Sequence, residues 1–213
     1  VMLSFGHAGL TNDEWSECLE QLAAPVAYFS QDIRRKGALG GFGWPAPKVG
    51  MAQVDRFLTL SKDWPKAIPA AFPRFDDIYR EAGVGEGYGK LPDGNGETLK
   101  TTLNKALAAG PRIIQIATWN DWGEGTQIEP SHEFGYRDLI YLKTVLAKDA
   151  PASSEEDLKT IPARILMRRR SNRDDQQSID EIVAKICDGN LNKVRSLLKT
   201  TQSDNSLSLP LPE

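Results

Sequence analysis

Between Thr118 and Pro130 the chain reads Thr118-Trp119-Asn120-Asp121-Trp122-Gly123-Glu124-Gly125-Thr126-Gln127-Ile128-Glu129-Pro130. Three carboxylates, two side-chain amides and two indoles crowd into this one stretch. Cleaving a glycosidic bond requires a carboxylic acid that protonates the leaving oxygen, usually with a second carboxylate as base or nucleophile. Aromatic rings beside such groups stack on the apolar faces of sugars, and Asn or Gln side chains hydrogen-bond the hydroxyls. A plainer account makes Asn120 and Asp121 an Asx turn, Trp119 and Trp122 core residues, and Gly123 and Gly125 the hinges of a tight loop.

The elements that must position this stretch follow a βαβα rhythm. Val1 to Phe5, Val26 to Phe29, Ile68 to Phe72 and Arg112 to Trp119 read as strands. Along the last of these, Ile114 and Ile116 suit a helix-covered face. Gln115 and Ala117 suit a crowded interior, and Trp119 and Asp121 continue the inward row if the strand persists. Helices are expected after Thr11-Asn12-Asp13, from near Met51 with Val54, Phe57 and Leu58 on one face, over Leu99, Leu103 and Leu107 as far as Gly110-Pro111, and from Tyr136 to Leu146. Gly40-Gly41-Phe42-Gly43-Trp44-Pro45 reads as a Gly/Pro-rich loop, long enough to suggest function. The loose segment Gly83 to Gly96 is a second such connection.

Strand ends in this rhythm carry His7, Gln31 and Asp32, Asp76 and Asp77, and Asn120, Asp121 and Glu124. In a (β/α)8 barrel all of them would lie around one mouth, where the active site is built. Four strands make half such a barrel, and two open edges would leave backbone groups unpaired. The expected fold class is therefore α/β, of the (β/α)8 TIM-barrel type, with only the C-terminal half present in residues 1–150 and an N-terminal half missing from this chain. Beyond Ala150 the sequence turns Pro-, Ser- and charge-rich. Residues 151–213 read as a linker, two short amphipathic helices around Ile179 to Ile186 and Leu191 to Leu198, and a disordered tail from Ser203. That helix pair resembles an ankyrin-type unit, which cannot bury its own face alone.

Composition excludes several classes. Of 213 residues, 40% are hydrophobic and 26% charged, which suits a packed globular chain, and a net charge of -3 gives no reason to expect nucleic acid as a partner. No apolar run reaches the length of a membrane helix, so no membrane insertion is expected. Cys18 and Cys187 lie far apart without ligand-like spacing and read as free thiols.

The stretch from Asn120 to Glu129 resembles the end-of-barrel motif of the glycoside hydrolase family 71 and family 99 group. Family 99 endo-α-mannosidases typically show Asn-Glu-Trp-x-Glu-Gly-Thr-Gln-Ile-Glu. Family 71 α-1,3-glucanases carry Asp at the second position, as this chain does. The resemblance implies Asp121 and Glu124 as the catalytic pair. It implies for family 99 a route in which one carboxylate deprotonates the sugar 2-hydroxyl while the other acts as acid and then base. Asp121 is one methylene shorter than the Glu of that family, and an inverting route, as family 71 suggests, needs carboxyls roughly 6.5 to 9.5 Å apart. The acid role should fall on the less solvated carboxyl, because burial raises its pKa. Glu124 is the expected acid, and Asp121 the base or nucleophile.

Trp119, Asn120, Trp122, Gln127, Glu129, Trp44, Asp76 and Asp77 are the candidate substrate-binding residues. Glu129 could equally pair with an Arg, Trp44 could pack its loop, and a helix N-cap before Ile78 would explain one of the two aspartates. His7 and His132 share no metal-ligand spacing. Asp93-Gly94-Asn95-Gly96-Glu97 hints at a calcium loop but breaks its pattern, and Gly83 to Gly89 lacks a phosphate-loop signature. The expected function is hydrolysis of an α-mannoside or α-glucan, with an oligosaccharide or polysaccharide as partner and no cofactor or metal. A non-catalytic carbohydrate-binding barrel and a glycan or lipopolysaccharide-biosynthesis protein are the alternatives. The resemblance leans toward secreted or periplasmic polysaccharide degradation.

Overall fold

In the computed structural model, residues 1–6, 10–146, 154–171 and 176–199 are described. His7 and the tail from Ser203 lie outside them. The chain divides into two units, Val1–Leu139 and Ile140–Glu213.

The first unit is built on parallel strands. β1 (Met2–Ser4), β2 (Tyr28–Gln31), β3 (Gly40–Phe42) and β4 (Lys66–Ile68) lie side by side in sequence order, with Leu3 opposite Phe29 and Phe42 opposite Ile68. Pro69 has no N–H to offer the ladder and interrupts the fourth strand. Beyond it β5 (Ala70–Ala71) changes partner and pairs in parallel with β8 (Gln115–Ile116), helped by Gln115 N donating to Pro69 O at 2.9 Å and Ala117 N to Ala71 O at 2.9 Å. Between them, β6 (Phe75–Asp76) and β7 (Lys90–Leu91) form a small antiparallel hairpin. Among the described strands the parallel order does not reverse, as it does in doubly wound sheets. Helices α1 (Asn12–Glu20), α2 (Met51–Leu60) and α3 (Glu97–Ala108) fall between successive strands.

Two expectations change here. The Gly40 to Pro45 segment begins as a strand and not as a loop. A Cβ on Gly40 would sit 1.8 Å from Lys66 O, so the two backbones approach too closely for any other residue. The glycines that look like loop residues mark a crowded interior strand. The last strand is also shorter than Arg112 to Trp119: only Gln115 and Ile116 pair, and a cis peptide joins Ala117 to Thr118. The inward row therefore ends at Ala117, which is 1% exposed, and Trp119 and Asp121 do not continue it.

Packing follows the patterns. α1 opens on a capping box in which Thr11 accepts from Glu14 N and the Glu14 carboxylate accepts from Thr11 N at 2.7 Å. α3 buries Leu99, Thr102, Leu103 and Ala106, while Leu107 is 38% exposed. Fourfold spacing drifts by about 40° per step on a 3.6-residue helix, so the third leucine rotates out of the face. The Thr102 hydroxyl accepts from Phe72 N at 3.1 Å and lies 3.0 Å from Phe72 O, satisfying the backbone just beyond β5. Phe29, Phe42 and Ile68 form one apolar cluster, and Ala70, Phe72, Phe75, Leu91 and Ala117 another.

α4 (Arg137–Leu146) runs across the point of division. In the second unit, α5 (Glu155–Ser171) replaces the expected linker. Its start is fixed by Ser154 and Asp157: Ser154 N donates to the Asp157 carboxylate at 2.7 Å, and Asp157 N donates to the Ser154 hydroxyl at 3.1 Å. α6 (Gln176–Cys187) and α7 (Leu191–Lys199) are the two expected short helices. Ile161 of α5 joins Ile182, Val194 and Leu198, so the third helix covers the face that a lone pair could not bury. Arg195 grips both Asp157 carboxylate oxygens through one guanidinium edge, Nε and Nη2, and that pairing holds the carboxyl far below the usual range. Both cysteines are free and exposed. Among the described residues no helix is long and apolar enough to cross a membrane.

Candidate active site

Beyond β8 the chain turns back on itself under the control of two threonines. Thr118 N donates to Thr126 O at 3.1 Å, the two hydroxyls meet at 2.8 Å, and Asp121 N donates to Thr118 Oγ1 at 3.0 Å. Asp121 then closes the turn: its Oδ1 accepts from Glu124 N at 3.0 Å and its carbonyl from Thr126 N at 3.2 Å. Asp121 thus forms the Asx-type turn of the plainer account. The indoles do not follow that account, since Trp119 and Trp122 are each 50% exposed. Asn120 is exposed beside them.

The turn is stitched to the hairpin by backbone. Asp76 N donates to Glu124 O at 2.9 Å and Ile78 N to Gly123 O at 3.1 Å. Gly125 has φ of 64°, and a Cβ there would lie 2.7 Å from Asp76 O, so only glycine passes under the strand end. Glu124 and Asp77, from strand ends far apart in sequence, are thereby brought close enough for their charges to interact.

The Glu124 carboxyl is half-buried, and Tyr79 OH donates to its Oε1 at 3.2 Å. Burial pushes its pKa up from the ordinary glutamate value, the neighbouring Asp121 charge adds to the rise, Tyr79 partly opposes it and Asp77 adds a little more. The Tyr79 phenol is likewise raised, by burial and by the Glu124 charge.

The remaining candidates fall into distinct settings. Among the described residues Glu129 pairs with no arginine; its Oε2 accepts from Trp122 Nε1 at 3.2 Å. Gln127 is buried, and its Oε1 has no hydrogen-bond partner among the described residues. Asp76 is exposed and pairs with Lys90 across the hairpin. Asp77 accepts from Tyr79 N at 3.1 Å and Tyr88 N at 2.7 Å; the segment after Ile78 is a series of turns, so no helix N-cap is involved. Trp44 stands edge-on to Phe5, 4.8 Å between centroids, and packs against both apolar clusters. Its backbone N–H donates to Asp32, a residue with φ of 56° whose carboxyl is raised by burial despite bonds from Gln53 and Trp44. His132 is exposed, and no group of metal ligands occurs among the described residues.

Two residues that the motif does not announce support this site. Tyr79 is one. Arg74, 4% exposed, is the other: it donates to Gln127 O at 2.8 Å, pairs with Asp138 and with Asp93 at 3.2 Å, and lies 3.5 Å above the Phe134 ring. Arg137 completes the cluster, 2.6 Å from Asp93 and 3.0 Å from Asp138. Burial raises the Asp93 carboxyl, but Arg137 and Arg74 more than offset it, and the net shift is downward. The Asp93 to Glu97 segment is therefore a helix-opening turn held by arginines. An arginine placed shortly after an apolar strand, with aspartates elsewhere to receive it, was the only available signal.

Residues 51–145 match the model of the WbsX glycosyltransferase family. A glycoprotein endo-α-1,2-mannosidase of Xenopus laevis is 51% identical over 35 residues, 16% of this chain and 8% of that protein. The chain is thus similar to family 99 proteins. Among solved structures, a family 99 endo-α-mannosidase from Bacteroides thetaiotaomicron aligns at a TM-score of 0.44 and 18% identity, over 56% of this chain and 43% of that one. A glycoside hydrolase-like protein aligns at 0.42 and 12%, over 71% and 49%. The chain thus spans less than half the length of each of these relatives.

Proposed function

We propose that this chain carries the carboxylate-bearing part of a glycosidase acting on α-linked glycan, an α-mannoside or α-glucan, with Glu124 as general acid and Asp121 as base or nucleophile. One observation supports the reading above the others. Glu124 is a half-buried acid with a raised pKa, beside a second carboxylate, in a loop flanked by two exposed indoles. A raised pKa widens the pH range over which a general acid stays protonated and can deliver a proton to the leaving oxygen. Trp119 and Trp122 would stack on sugar rings, with Asn120, Gln127, Glu129, Asp76 and Asp77 as hydrogen-bonding groups. Trp44, packed against Phe5, would contribute at most one edge.

On this reading residues 1–150 are the C-terminal half of a (β/α)8-type barrel, completed by strands that this sequence does not contain. Parallel strands in unreversed order, with the candidate groups at their C-terminal ends, are what such a barrel requires.

The match to the WbsX model favours a second reading, in which the same carboxylates serve glycan assembly. Release of reducing sugar from a panel of α-mannans and α-glucans by the full-length protein and its Glu124→Gln form separates the two. Turnover that disappears in the mutant while glycan binding persists supports the glycosidase. Turnover only with an activated sugar donor supports assembly, and undiminished hydrolysis by Glu124→Gln removes Glu124 from the acid role.

A further inference from the structure

Tyr79 is held more firmly than a surface tyrosine needs to be. Asp77 binds both its own N–H and that of Tyr88, and the Tyr88 ring stands edge-on to Tyr79, 5.7 Å between centroids. Phe75, 2% exposed, stands edge-on to Tyr88 at 6.4 Å, which ties the pair to the apolar core. At the end of this chain of contacts the phenol donates to Glu124 Oε1 at 3.2 Å. A mere tether between the turn and the hairpin would be redundant there, because Asp76 N to Glu124 O and Ile78 N to Gly123 O already join them through backbone. Among the described residues, Oε2 of Glu124 accepts no hydrogen bond.

We propose that Tyr79 is a positioning residue: its phenol holds the Glu124 carboxyl by Oε1 and leaves Oε2 as the oxygen presented to the glycan. The inference rests on Glu124 being the acid. In the protonated state the proton resides on Oε2. As the glycosidic C–O bond breaks, its electron pair goes to the leaving oxygen, which takes that proton, and Tyr79 keeps its own proton while stabilising the carboxylate left behind. Because the phenol stabilises the charged form, its removal makes Glu124 a weaker acid.

The test is carbon NMR titration of glutamate carboxyls in the full chain, with the Glu124 resonance assigned by its absence in Glu124→Gln. Tyr79→Phe should move the Glu124 midpoint to higher pH, and Tyr88→Phe, which keeps the donor, should leave it in place. In the hydrolysis assay Tyr79→Phe should lower kcat about tenfold with KM little changed, the effect of one hydrogen bond, and move the alkaline limb upward. An unmoved Glu124 midpoint in folded Tyr79→Phe overturns the positioning role whether or not the protein hydrolyses glycan. Full turnover in Glu124→Gln would instead sink the acid assignment and leave the titration result standing.

Discussion

Replacing Arg74 with methionine should cost the first unit about 3 kcal/mol. The side chains of Arg74 and Asp138 are 4% and 5% exposed, and that of Asp93 is 18% exposed. Two arginines and two aspartates make this cluster neutral; without Arg74 a net negative charge remains in a nearly dry site. Removing one partner of a buried ion pair typically costs about 3 to 5 kcal/mol, chiefly because the other charge stays buried. Arg137 still reaches both Asp138 and Asp93, and Gly96 N still donates to Asp93, which places the expectation at the lower end of that range. The equilibrium constant would then fall about a hundredfold. Urea unfolding followed by tryptophan fluorescence reads this unit selectively, because Trp15, Trp44, Trp64, Trp119 and Trp122 all lie within Val1–Leu139. The double variant Arg74→Met/Asp138→Leu, which restores neutrality with apolar groups, should recover most of the loss. A loss below about 1 kcal/mol, or additive losses in the double variant, would refute the reasoning.

Gly125→Ala should cost about 2 kcal/mol, combining a left-handed backbone with a Cβ placed 2.7 Å from Asp76 O. Hydrogen exchange at the Asp76 amide should accelerate with it, and unchanged exchange would mean the turn accommodates the methyl. Glu124→Gln should stabilise the fold near neutral pH and do nothing well below the ordinary glutamate pKa. The folded pKa lies above the unfolded one, so the native state binds more protons between them and wild-type stability falls as pH rises through that window. Parallel stability curves for the two proteins across that window would show that Glu124 is not strained by its surroundings.

Much of the first unit was legible because its signals are local. The helix start at Thr11-Asn12-Asp13, the apolar face of α2 around Phe57 and the extended run through Ala70 and Ala71 each declare themselves within a few residues. β3 was not legible, because Gly40 reports a clash with Lys66, a neighbour that only the folded sheet supplies. α5 was hidden by Pro162 and by charges, since its Ile161 gains meaning only against Ile182 and Val194. The candidate site shows the same split. The run from Trp119 to Glu129 is visible as composition, but the partners that shape it, Tyr79 and Arg74, come from a strand end far earlier in the chain. Their pairing is a property of parallel strands β5 and β8, which bring those two ends together.

That split also divides the two carboxylates. Asp121 spends Oδ1 on the Glu124 N–H and its carbonyl on Thr126, so its geometry is set by the turn it closes. Glu124 contributes only its backbone to the anchoring, through its carbonyl to Asp76 and its N–H to Asp121, and its side chain meets a single phenol. A short side chain suits a residue that must hold a loop. The longer one suits a group that reaches a ligand and changes protonation without disturbing its own support. Exchanging the two, Asp121→Glu with Glu124→Asp, would therefore lengthen the side chain that closes the turn and pull the other away from Tyr79, although the charge and composition of the loop stay the same.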